Sequence, residues 1–186
     1  MSKRILLLLM IAAVLLSGCA AEPRETLPPV TQTQAPTETE APEEEEKTYA
    51  PDFTMVDADG NELKLSDFFG EPIVLNFWAS WCGPCKGEMP DFDEAYRNYE
   101  GEIQFLMVNL TDGSYETLEG AKSFVESSGY SFPVYYDTAS EAAITYGVNS
   151  IPRTYFIDSE GVLLAYAAQA IDAATLEQGI SMIIEE

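Results

Sequence analysis

The chain has 186 residues, of which 46% are hydrophobic, enough for one ordinary domain with a real core plus extra segments. Nine basic residues stand against 32 acidic ones, a formal net charge of −23, and there is no histidine. Such a chain is repelled by nucleic acid and by anionic lipid, so no nucleic-acid partner is expected, and the excess acid reads as a solubility device.

Lys3 and Arg4 open the chain, and residues 5–16 form a continuous apolar run. Spanning a hydrocarbon core takes about 20 residues, so a run of this length suits a signal peptide better than a transmembrane helix. Leu16-Ser17-Gly18-Cys19 follows directly and resembles the lipobox of bacterial lipoproteins. That resemblance implies cleavage after residue 18 and lipid on Cys19, and hence attachment to a bacterial membrane on its extracytoplasmic side. The alternative is a plain secretory signal with an incidental cysteine. Loss of residues 1–18 leaves a net charge of −25. Residues 19–49 carry prolines, Thr, Gln and the run Glu43-Glu44-Glu45-Glu46, with apolar residues too sparse for a core. They are expected to form a disordered tether with a reach of about 30 Å if flexible and at most about 90 Å if extended as polyproline.

Residues 50–186 are expected to fold. Residues 53–56 and 62–65 read as a hairpin around Asp57-Ala58-Asp59-Gly60. Residues 73–78 form an apolar, β-branched and aromatic run, read as a strand buried on both faces. The pattern then predicts a helix over 84–99, a strand over 103–110, a helix over 115–128, a strand over 132–136 and a helix over 139–147. A second hairpin over 154–157 and 162–167 turns at Ser159-Glu160-Gly161, and a helix over 172–185 closes the chain. The fold class is α/β, a sheet covered by helices, without internal repeats.

The chemistry concentrates in Trp81-Cys82-Gly83-Pro84-Cys85-Lys86, where the strand gives way to a helix. A structural zinc site needs four ligands, and with no His and no second Cys pair it would need carboxylates or another chain. A structural disulfide is compatible with export, but so small a loop gains little chain entropy. Buried inert thiols do not suit the start of a helix. A redox pair does: unsatisfied N–H groups and the positive end of the helix dipole favour thiolate, and a second thiol three residues on can resolve a mixed disulfide. No cofactor is called for.

The hexapeptide resembles the active site of the thioredoxin family. Ala50-Pro51-Asp52-Phe53, Leu65-Ser66-Asp67-Phe68, the run from Val74 to Cys82, Glu88-Met89-Pro90, Tyr146-Gly147-Val148, Ile151-Pro152 and Phe156-Ile157-Asp158 are similar to its membrane-tethered TlpA/ResA-like branch. The resemblance implies a thioredoxin-like fold: a central mixed sheet flanked by helices, an N-terminal β-hairpin, and an inserted helix–strand element at 115–136. It implies that Cys82 is the exposed nucleophile and Cys85 the resolving thiol, with Trp81, Gly83 and Pro84 shaping the site. Pro152 matches a cis-proline loop, and Ile151 would offer backbone groups to a substrate strand. Asn76 stands where cytoplasmic members carry a buried aspartate. Glu88 matches a glutamate implicated in this branch and shares a helical face with Cys85; the plain alternative is a solvated carboxylate. Arg153 and Gln169-Ala170 depart from the branch's pattern.

The function so implied is reduction of disulfides in exported proteins. Partners implied by the branch are apocytochrome c, a methionine sulfoxide reductase or mispaired secreted proteins, and a transmembrane electron donor of the CcdA type. Alternatives are an oxidase or isomerase of secreted proteins, a peroxiredoxin-like peroxidase, or a non-catalytic binding lipoprotein with a structural disulfide. The opening "APDFT" and "LSDF" are shared with peroxiredoxins, but the peroxidatic Thr-x-x-Cys arrangement is absent.

Overall fold

Ile73–Trp78 (β3) is buried at every position, and it forms the middle of the sheet. Its alternation sends Ile73, Leu75 and Phe77 into one core and Val74 and Trp78 into another. A strand apolar on both faces needs cover on both, and the rest of the chain supplies it. The computed structural model describes residues 47–184. Cys19, the signal peptide and nearly all of the expected tether lie outside the described residues.

Seven strands form one sheet in the order β2-β1-β5-β4-β3-β6-β7. The others are Thr54–Val56 (β1), Glu62–Lys64 (β2), Gln104–Asn109 (β4), Val134–Tyr136 (β5), Arg153–Ile157 (β6) and Leu163–Ala167 (β7). β4 runs parallel to β3 and β5, whereas β6 runs antiparallel to β3. The sheet is therefore mixed. Gly83–Asn98 (α1), Leu118–Ser128 (α2) and Ala173–Ile184 (α4) bury apolar residues against the face of Val74 and Trp78. Glu141–Thr145 (α3) buries Ala142 against the other face, beside Phe53, Phe77 and Tyr155. The α/β class, the N-terminal hairpin and the helix–strand element between β4 and α3 are borne out.

Boundaries moved where polar side chains compete for the backbone. The expected second strand over 62–65 ends at Lys64, because a 3-10 turn at Leu65–Phe68 follows. Asp67 accepts the Lys64 N–H and Asp52 accepts the Ser66 N–H, while Leu65 is fully buried. The helix expected from 115 begins only at Leu118, since Asp112 Oδ1 accepts the N–H groups of Ser114, Tyr115 and Glu116 and holds a loop there. At the amino-terminal side, Thr48 C=O accepts from Leu163 N–H and Ala50 N–H donates to Gly161 C=O. The chain is thus attached to the sheet from Thr48, two residues ahead of the expected boundary.

Candidate functional site

β3 ends at Trp78, and a tight turn in which Cys82 N–H bonds Ala79 C=O leads into α1. Cys82 is the N-cap of α1, its Sγ accepting the Cys85 N–H at 3.2 Å. Pro84 sits in the first helical turn, where a missing N–H costs nothing. Cys82 and Cys85 are disulfide-bonded, S–S 2.04 Å with Cα atoms 5.3 Å apart. The Ile151–Pro152 peptide is cis, as the family resemblance implies, and Ile151 O lies 3.9 Å from Cys82 Sγ. One expectation needs correction. In this disulfide form Cys82 is not exposed: it retains only 3% of its surface, tucked beside the Ile151–Pro152 loop, and Cys85 has none. Trp81, by contrast, is 58% exposed, and Gly83 and Pro84 also face solvent.

Glu88 is no solvated carboxylate. It is 3% exposed, one helical turn beyond Cys85 on the buried face of α1. Its Oε1 accepts from Asn76 Nδ2 and its Oε2 from Ile171 N–H, both at 2.9 Å. Burial pushes the Glu88 carboxyl up to about 7, with the two hydrogen bonds opposing. Asn76 is more than a missing acid: it holds Glu88, and its Nδ2 also donates to Thr154 Oγ1 at 3.0 Å across the β3–β6 pair. An amide inside an otherwise apolar six-residue run was a legible signal that a buried partner existed. Ile171 gave no such signal, since it contributes only a backbone N–H.

A second buried carboxylate escaped the sequence altogether. Glu116, 2% exposed, accepts from Ser80 N–H at 3.0 Å, Ser80 Oγ at 2.8 Å and Asn109 Nδ2 at 2.9 Å. It ties the loop after β4 to the turn just ahead of Cys82. Arg153 follows the cis-proline, and its Nη2 donates to Asn149 Oδ1 at 2.9 Å. Among the described residues, no group of three or more His, Cys, Asp or Glu is arranged to hold a metal ion.

Taken together, a disulfide at a helix N-terminus, a backbone carbonyl beside its outer sulfur and a buried carboxylate titrating near neutrality can exchange disulfides and move the proton that exchange requires. The AhpC/TSA family model matches residues 47–166. The chain is 37% identical over 113 residues to the thiol-disulfide oxidoreductase ResA of Geobacillus thermodenitrificans, covering 60% of this chain and 63% of that relative's length. It is 30% identical over 135 residues to ResA of Bacillus subtilis, covering 72% of this chain and 73% of the relative. Among solved structures, the exposed lipoprotein thioredoxin of Streptococcus pneumoniae matches with a TM-score of 0.63 and 30% identity, over 71% of this chain and 99% of that one.

Proposed function

The chain belongs to the AhpC/TSA family, and from that premise we propose that it is an extracytoplasmic thiol-disulfide oxidoreductase that reduces disulfides of exported proteins. The observation that carries the reading is the Cys82–Cys85 disulfide capping α1 with Glu88 buried one turn behind it. The ResA relatives, named as thiol-disulfide oxidoreductases, support the activity, and the lipoprotein thioredoxin supports a lipid anchor at Cys19.

In the reduced protein, Cys82 thiolate attacks one sulfur of the substrate disulfide. That S–S bond breaks, a mixed disulfide forms on Cys82, and the substrate's other sulfur leaves as a thiolate. The Cys85 N–H that now meets Cys82 Sγ, together with the helix dipole, favours negative charge on the attacking sulfur. Cys85 then loses its proton to Glu88, directly or through a water, and attacks Cys82 Sγ. The Cys82–Cys85 disulfide forms, and the substrate leaves with both its sulfurs reduced after taking up protons. Two electrons pass from the dithiol to the substrate, so each cycle requires an external dithiol donor. A membrane carrier of the CcdA type suits that need, and apocytochrome c or a methionine sulfoxide reductase suits the substrate role.

Reduction of insulin disulfides by the dithiol form, run beside peroxide consumption, tests the reading. Insulin precipitation without peroxide loss is the expected result. Peroxide loss without insulin reduction would replace it with a peroxidase. Cys85→Ser should accumulate mixed disulfides on Cys82 in cells, and their identification names the substrate.

A further inference from the structure

Beside the disulfide the surface sinks into a cavity of about 430 Å³, within the range of about 300–1,000 Å³ usual for ligand sites. Trp81, the neighbour of Cys82, and Ile151, whose O lies 3.9 Å from Cys82 Sγ, are part of its lining, so the cavity adjoins the residues around the outer sulfur. Leu110 and Val148 add apolar wall, and Asp112 and Asp137 bring carboxylates. Among the described residues no lysine or arginine lines it.

The two carboxylates differ. Asp137 is 1% exposed, and its oxygens accept the N–H groups of Ala142 and Ala143 at the start of α3; burial raises its carboxyl above the usual range. Asp112 is exposed, and the backbone N–H groups of Glu116, Ser114 and Tyr115 on its Oδ1 hold its carboxyl below that range. Asp112 is therefore the dependable negative charge, and its Oδ2 faces no donor among the described residues.

We propose that this cavity receives a long cationic side chain, lysine or arginine, from the substrate segment next to the disulfide being reduced. The inference rests on the oxidoreductase reading above and names the substrate class of that site. A lysine or arginine stem is apolar and lies along walls such as Leu110 and Val148, while its head seeks a carboxylate. The exposed ring of Trp81 offers a face for the cation. A glutamate in the same place would meet Asp112, and an aliphatic chain would give Asp112 Oδ2 no counter-charge. Arg153 is bonded to Asn149, a lining residue, but does not itself line the cavity.

The test uses the full-length reduced protein and three disulfide peptides that differ at one position next to a cysteine: lysine, norleucine or glutamate. Norleucine keeps the stem of lysine without its charge. We expect kcat/KM for the lysine peptide to exceed that for norleucine about three- to tenfold, with glutamate below both. In Asp112→Asn the side-chain oxygen can still accept the three backbone N–H groups, and the lysine-to-norleucine ratio should fall toward one. A lysine preference that persists in Asp112→Asn would assign it to the field of the whole acidic molecule and overturn the subsite. Reduction of all three peptides without ranking also overturns it, leaving the redox reading intact. Failure to reduce any of them sinks the redox reading and the subsite with it.

Discussion

Because burial brings the Glu88 carboxyl to about 7, it changes charge in the range where thiol exchange runs. If it takes the Cys85 proton it must be ionised to do so, and turnover should then rise with pH through about 7. Glu88→Gln should remove that limb and lower turnover at neutral pH at least about tenfold. Stability carries the opposite sign. The native carboxyl binds its proton up to about pH 7, whereas in the unfolded chain it does so only below about 4.5. Between those values the native state holds more protons, so stability falls as pH rises, by at most about 3 kcal/mol, and stays low above. Urea unfolding of Glu88→Gln beside wild type at pH 5 and pH 8 should show the variant gaining on wild type at the higher pH. Asn76 makes the substitution tolerable: its buried Oδ1 has no partner, and rotating that amide would present it to a new donor at position 88. Equal pH profiles and equal turnover would take Glu88 out of the mechanism. The cysteines were legible in the sequence because their short spacing at a strand-to-helix turn expresses them, and Glu88 because its motif resembles the TlpA/ResA-like branch. The grip of Asn76 and Ile171 on Glu88, and of Glu116 on Ser80, was not, because it joins residues 12, 83 and 36 positions apart.

At the scale of elements, hydrophobic period made most of the fold readable. The continuous apolar run of β3 and the helical spacing of Leu176, Ile180 and Ile183 in α4 each appear where expected. Two of the misplaced ends, at Lys64 and Leu118, lie where aspartate side chains capture backbone N–H groups, which no apolar period records. The strand expected over 132–136 also starts only at Val134, and the helix expected over 139–147 spans Glu141–Thr145. Close approach is equally silent in the sequence. Gly179 lies on the buried side of α4, and a Cβ built there would fall 2.2 Å from Cζ of Phe156 on β6. In an exposed helix interior, replacing Gly by Ala gains about 0.5–1 kcal/mol. Here the ring is 3% exposed and has little room to yield, so the clash prevails. Gly179→Ala should lower Tm by about 5–10 °C. Calorimetry showing a raised Tm would mean that α4 packs more loosely on β6 than this geometry implies.

For the whole molecule, charge decides how it can be held at a membrane. A chain of net −23 gains nothing from an anionic lipid surface and is pushed away from it. Among the described residues no helix is long and apolar enough to cross a bilayer. If the protein is retained at the membrane through Cys19, the attachment is hydrophobic. Retention should then survive a wash at about 1 M salt, which removes proteins held by charge. One acyl chain binds only marginally, so salt-resistant retention requires at least two on the mature protein. Wild-type protein should stay with the membrane fraction after the wash and show the corresponding mass increase at Cys19. Cys19→Ala should appear in the soluble fraction even at low salt, or keep residues 1–18 uncleaved, with insulin reduction by its folded domain retained. Wild-type protein released by salt, or Cys19→Ala cleaved yet still retained, would show that something other than lipid on Cys19 holds the chain.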